Sequence, residues 1–239
     1  MNKKILIMGA SSDIGFDLIN KIADNYSVIL AHYCNWNDKL EQLKRKYNHK
    51  IYFFKADLCN ISDLNKMILE IKKHYLEPDH IVYLPALKIN LQKFSKLEWS
   101  YFEKNWEISV HAAVILLQAF LPYMQKQKYG KVIFMLTSCT LDMPPKYQAA
   151  YTTIKYALLG LMKSLAVEYR EKGITVNGIS PDMIQTKFLS DLPTIAIEQY
   201  AQSKISKNIL SVKDVTPTFC YLLSEGADCI SGENIGIRN

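Results

Sequence analysis

No two cysteines in this chain have C-x-x-C spacing; Cys34, Cys59, Cys139, Cys220 and Cys229 are scattered and odd in number. That excludes a disulfide framework and the common zinc-ligand spacings, so no metal is expected. No uninterrupted apolar run approaches the roughly 18 residues of a membrane-spanning helix, and no membrane role is expected. The apolar run at residues 5–8 is too short for the hydrophobic region of a signal peptide, so a cytoplasmic location is expected. No linker, repeat or low-complexity segment divides the chain, and its aromatics form no RNA-binding motif. The net charge of +6 comes nearly all from lysine, and over residues 38–46 basic residues alternate with acids. That is the pattern of a solvated helix face rather than a nucleic-acid stripe, and no nucleic-acid partner is expected.

What is present is a globular composition, 49% hydrophobic over 239 residues, enough for one large α/β domain with a buried core. Short β-branched runs at 4–8, 28–32, 51–55, 81–84, 132–136 and 175–179 read as buried strands. Helical periodicity fills 14–23, 38–47, 62–74, 102–127 and 149–170, with Ser62-Asp63 offered as an N-cap and a kink expected at Pro122. The alternation predicts a parallel sheet with helices on both faces, whose ligands bind beyond the carboxyl ends of the strands.

Gly9-Ala10-Ser11-Ser12-Asp13-Ile14-Gly15 follows the first strand and opens the first helix. Glycine allows a tight turn and close approach of a pyrophosphate, and free helix N–H groups supply donors. The alternative is a tight turn that holds no ligand. Asp13 stands where such loops often have a middle glycine; a carboxylate there must point away from a phosphate, for instance to cap the helix. Asp57, followed by Leu58 after the third strand, could accept from an adenine amine or simply close a turn.

Tyr151 and Lys155 lie four residues apart in a predicted helix, so they share a face, with Ser138 thirteen residues before the tyrosine. A phenol has an ordinary pKa of about 10, and a nearby ammonium is expected to pull it toward the working range of a general acid/base. The serine hydroxyl could hold the reacting oxygen. The same tyrosine–lysine spacing recurs at Tyr200 and Lys204, so spacing alone does not choose.

With these features together, the chain resembles the short-chain dehydrogenase/reductase family over its full length. The strand 130–138 ending in Ser138, the helix 150–160, the strand 174–181 ending in Pro181 and the stretch 231–235 each resemble a family segment. The resemblance implies a Rossmann-type doubly wound α/β sheet of about seven strands in a single domain, 1–239, with a lid at about 187–210. It implies a bound NAD(P) and a homodimer or homotetramer packed through two long helices. Ser138 would bond the substrate oxygen, Tyr151 would donate the proton, and Lys155 would hold the cofactor ribose and join a proton relay. Gly9, Ser11, Ser12, Asp13, Ile14 and Gly15 would hold the pyrophosphate, and Thr186 with the Ile184 backbone the carboxamide. Pro181, Pro85 and Ala86 would line the cofactor as well. On this resemblance Tyr200 and Lys204 fall in the lid and are expected to be a surface pair.

Four departures from the family pattern stand out. The catalytic asparagine position is Ser109, which would have to carry the relay, with His111 nearby. Tyr83-Leu84-Pro85-Ala86 replaces the family's N-N-A-G, and a proline donates no backbone hydrogen bond. Asp182 takes the glycine position after Pro181, and the usual D-G-G ending is missing at Arg238-Asn239.

The end of the second strand carries His32, Tyr33 and Asn35 and no acid before Asp38. An acid there would favour NAD, so NADP(H) is favoured and NAD(H) stays open. His32 and Tyr33 could instead merely finish the strand. The lid mixes apolar residues with three lysines, which suits an acyl chain and an acidic carrier protein, or equally lid packing. The first expectation is a 3-oxoacyl-thioester or acyl-carrier-protein reductase. The alternatives are a reductase of a sugar-derived or other small ketone, and a non-catalytic dinucleotide-binding regulator.

Overall fold

Residues 3–239 are described by the computed structural model. Seven strands, β1 (Lys4–Met8), β2 (Val28–Tyr33), β3 (Ile51–Lys55), β4 (His80–Tyr83), β5 (Gly130–Met135), β6 (Ile174–Pro181) and β7 (Asn234–Ile237), pair in the order β3-β2-β1-β4-β5-β6-β7. Every pairing is parallel. Parallel strands are covered on both faces and therefore read as unbroken apolar runs; β5 is buried at all its positions. Its one charge, Lys131, is buried and meets Asp228 at 2.6 Å.

Side chains alternate across the sheet. Leu6 and Met8 of β1 face a core formed with α3 (Ile61–Lys73), α5 (Ala112–Gln127) and α6 (Ala149–Tyr169). Ile5 and Ile7 face the other core, formed with α1 (Asp13–Ile22), α2 (Asp38–Tyr47) and α8 (Val212–Leu223). The expected Rossmann-type doubly wound sheet is the fold found. The strand order reverses between β1 and β4, and a crevice opens there beyond the strands' carboxyl ends.

Several boundaries differ from expectation. Asn60, not Ser62 or Asp63, caps α3, accepting from the Ser62 amide at 3.0 Å. The helix around Pro122 runs on unbroken. The irregularity lies earlier, where α4 (Trp99–Trp106) passes into α5 through a π turn, Glu107–His111. The continuous stretch Trp99–Gln127 is long and apolar enough to cross a bilayer by length and composition, yet half of it is buried in this fold, where Leu116, Leu117 and Phe120 join the core. The lid region folds as a short turn, Lys187–Leu189, and α7 (Thr194–Gln202). Its two ends are pinned together by a bridge between Ile184 and Leu210.

Candidate active site

The loop after β1 is shaped as a phosphate cradle. Gly9 adopts φ +84°, a conformation that costs other residues more. Ser12 caps α1, its hydroxyl oxygen accepting from the Gly15 amide at 3.0 Å. The next amides, those of Asp13 and Ile14, have no helical carbonyl four residues back and can serve an anion. A Cβ on Gly15 would stand 2.6 Å from the Gly9 carbonyl oxygen and 2.8 Å from Ala10 Cα. Those are backbone atoms, so the loop itself would have to move. Gly15→Ala is therefore expected to lower Tm by several degrees, for a cost of about 1–3 kcal/mol, and to weaken dinucleotide binding at least tenfold by fluorescence titration.

Asp13 does not cap the helix; it is the first residue inside it. One carboxylate oxygen pairs with Lys39 of α2, and the other accepts from the Lys187 amide at 2.8 Å. Burial would raise its pKa, but the Lys39 and Lys187 bonds hold it below the usual carboxylate range. Its charge is thus neutralised and turned toward the lid. The glycine cradle and the free amides fit a dinucleotide pyrophosphate.

From this loop a cavity of about 380 Å³ runs past the ends of β4, β5 and β6 to the lid. Tyr151 and Lys155, one turn apart on α6, line it together with Thr137, Ser138, Pro181, Ile184, Thr186 and Ala86. Lys155 is buried, donates to the Met135 carbonyl at 2.7 Å, and lies 5.7 Å from the centroid of the Tyr151 ring. Thr137 and Ser138 both stand beside Tyr151 on the cavity wall. Burial raises the Tyr151 pKa above its ordinary value, and the nearby Thr137 hydroxyl offsets this only in part. Burial also lowers the Lys155 pKa to about 8, against the opposing pull of Cys139. The expectation that Lys155 draws the phenol downward is therefore corrected: desolvation dominates and keeps Tyr151 protonated. A protonated phenol is the form that a ketone reduction consumes.

The family model described as Enoyl-(Acyl carrier protein) reductase matches residues 9–238. The chain belongs to the short-chain dehydrogenase/reductase family. It is an oxidoreductase of that family with a dinucleotide-binding fold. Among its relatives, a 3-oxoacyl-[acyl-carrier-protein] reductase of Staphylococcus epidermidis is 26% identical over 243 residues, covering 100% of this chain and 98% of that protein. Tropinone reductase-like 3 of Erythroxylum coca is 27% identical over 238 residues, 97% and 90% of the two chains. The solved structure of 4-hydroxyisoleucine dehydrogenase complexed with NADH superposes with a TM-score of 0.87 at 26% identity, covering 99% of this chain and 97% of that one.

Two departures from the short-chain dehydrogenase/reductase pattern meet at the π turn. Tyr83, at the first asparagine of the altered stretch, sends its buried hydroxyl to the Ile108 carbonyl within the π turn. Ser109 sits beside it, buried, and its Oγ has no hydrogen-bond partner. It lines no part of the cavity and makes no bond to Lys155, so the relay expected through Ser109 is not formed by direct contact. His111 pairs with Glu107 at 2.6 Å on the same helical stretch.

The end of β2 also departs from expectation. His32 is buried and neutral: Nε2 donates to the Ala56 carbonyl and Nδ1 accepts from the Gly9 amide, both at 3.1 Å. Burial lowers its pKa to about 4. It braces the phosphate loop from beneath rather than touching a cofactor. Tyr33 packs edge-on against Trp36, and Asn35 is exposed; neither lines the cavity. Asp57 accepts from the Cys59 amide at 2.9 Å in a turn, Leu58 is core, and Pro85, unlike its neighbours Leu84 and Ala86, is off the cavity wall. Conversely, Tyr200 and Lys204 are not a surface pair. Both face the cavity and bind Asp182, at 3.0 and 2.8 Å. Thr137, Lys39 and Phe188, whose ring centroid is 6.4 Å from that of Tyr151, are site residues that the sequence reading missed.

Proposed function

We propose that this oxidoreductase reduces a ketone carried on an acyl thioester, with NADPH as the favoured donor. The observation that carries the reading is Tyr151 on the cavity wall beside Thr137 and Ser138, with the buried Lys155 ammonium 5.7 Å from its ring. The first-turn amides of α1 would hold the pyrophosphate, Lys155 the ribose, and Thr186 with Ile184 the carboxamide. The bound dinucleotide supplies the hydride. Tyr151 releases its proton to the carbonyl oxygen as the alcohol forms, and the hydroxyls at the end of β5 orient that oxygen. Lys155, cationic below a pH of about 8, favours the phenolate left behind.

Met143, Pro145 and Leu189 line the far part of the cavity and suit an acyl chain. Lys88 and Lys187 at its rim suit an acidic carrier protein, and the carrier-protein reductase among the relatives supports the same choice. The absence of an acid at the end of β2, with Lys39 close to the phosphate loop, supports NADPH. A reductase of a small polar ketone is the second reading, favoured by the polar wall of Asp182, Tyr200 and Lys204. A homodimer or homotetramer is supported by Trp99 and Val167, which leave 74% and 81% of their surface exposed on α4 and α6. A cytoplasmic setting suits five free thiols. The test is reduction of acetoacetyl thioester beside a panel of small ketones, with NADPH and NADH compared. Preference for the thioester and for NADPH, by tenfold or more in kcat/KM, is expected; preference for a small ketone selects the second reading, and binding without turnover rejects both.

A further inference from the structure

Asp182 occupies a position where the family pattern has glycine, at the carboxyl end of β6, and is 5% exposed. Its Oδ1 accepts from the Tyr200 hydroxyl at 3.0 Å, and its Oδ2 meets the Lys204 ammonium at 2.8 Å. The backbone amide of Asn239 approaches Oδ2 at 3.5 Å. The Lys204 ammonium also lies 4.6 Å from the centroid of the Tyr200 ring, so lysine and tyrosine brace each other. Tyr200 belongs to α7 and Lys204 follows its end, so both are lid groups.

A buried carboxylate is costly unless it is paired and fully bonded. Here burial would raise its pKa, yet the bonds from Lys204 and Tyr200 hold it below the usual range. Removing either lid partner leaves a buried charge short of donors, which is why the contact restrains the lid rather than decorating it. At the lid's other end, the Asp13–Lys187 contact ties the same segment to the phosphate loop.

We propose that Asp182 is a positioning residue that clasps the lid over the substrate pocket through Tyr200 and Lys204. The substrate wall is thereby assembled before substrate arrives, and KM is set by the clasp. This inference rests on the ketone-reductase reading of the pocket.

Hydrogen exchange of residues 187–210 and steady-state kinetics, measured on the full chain, test it separately. Asp182→Asn and Lys204→Met are each expected to speed exchange in the lid at least tenfold, with the β1–β6 amides unchanged. Both are expected to raise the ketone KM at least tenfold with kcat within threefold. Lys204→Arg, which keeps the cation, should stay within threefold of wild type in both readouts. Tyr200→Phe, a single hydroxyl lost from a half-buried ring, gives a third measure in a protein expected to fold. Lid exchange that stays within twofold, exchange that rises throughout the sheet, or a loss of kcat with KM unchanged overturns the proposal. If the wild type reduces no ketone, the function reading fails, while lid exchange still decides the clasp.

Discussion

Tyr151→Phe is expected to lower kcat/KM for ketone reduction by about 10²–10⁴-fold while leaving dinucleotide affinity and Tm nearly unchanged. The ring keeps its place on α6 and its approach to Phe188, because only the hydroxyl is removed. Only a hydroxyl on the cavity wall is lost, so the structural cost is at most about 1 kcal/mol, roughly 2–4 °C in Tm for a domain of this size. A merely structural tyrosine would show the opposite pattern, with activity tracking stability. Steady-state kinetics, fluorescence titration with NADPH and a thermal melt on the same preparation separate the two.

Lys155→Met is expected to abolish most activity and yet to stabilise the protein in the absence of dinucleotide. The ammonium is buried, and its pKa of about 8, against an ordinary 10.5, measures how unfavourably the charge is placed. At about 1.4 kcal/mol per pH unit, burying the cation costs on the order of 3 kcal/mol at neutral pH. Losing its bond to the Met135 carbonyl returns about 1 kcal/mol of that. A net gain of about 2 kcal/mol, or roughly 4–8 °C in Tm, is expected at pH 7. The sign depends on pH. Between about 8 and 10.5 the unfolded lysine binds more protons than the folded one, so wild-type stability rises with pH across that window and the variant's advantage shrinks. Melting curves of both proteins at pH 7 and pH 10 check this. A variant less stable than wild type at pH 7 would show that the lysine charge is better solvated than its burial implies. Such a site places function above stability, as expected of a buried cation kept for chemistry.

Most of the strands were legible because parallel strands covered on both faces must be continuous apolar runs, and β1 begins and ends where its run does. The helix α8 was not read, since Pro217 inside it interrupts the usual signal, although the capping box of Ser211 and Asp214 marks its start. In the site, Tyr151 and Lys155 were legible because helical spacing fixes a shared face. His32 was misread because alternation places it on one face of a strand, but not on the side open to the crevice. Tyr200 and Lys204 were dismissed because their partner, Asp182, is 18 residues from the tyrosine and speaks to it only through the fold. Both aspartates that stand at glycine positions of the family pattern, Asp13 and Asp182, turn out to hold the lid. Each was visible as a departure, while its purpose needed the third dimension.

The central claim is that Tyr151 delivers a proton to a ketone as hydride arrives. Its most direct test is single-turnover oxidation of enzyme-bound NADPH on mixing with acetoacetyl thioester, followed through the nicotinamide absorbance in wild type and Tyr151→Phe. Rapid oxidation in wild type, with a rate at least a hundredfold lower in the variant, is the predicted result. Equal rates in the two proteins, or a wild type that binds NADPH and never oxidises it with the thioester or any ketone, would contradict the account.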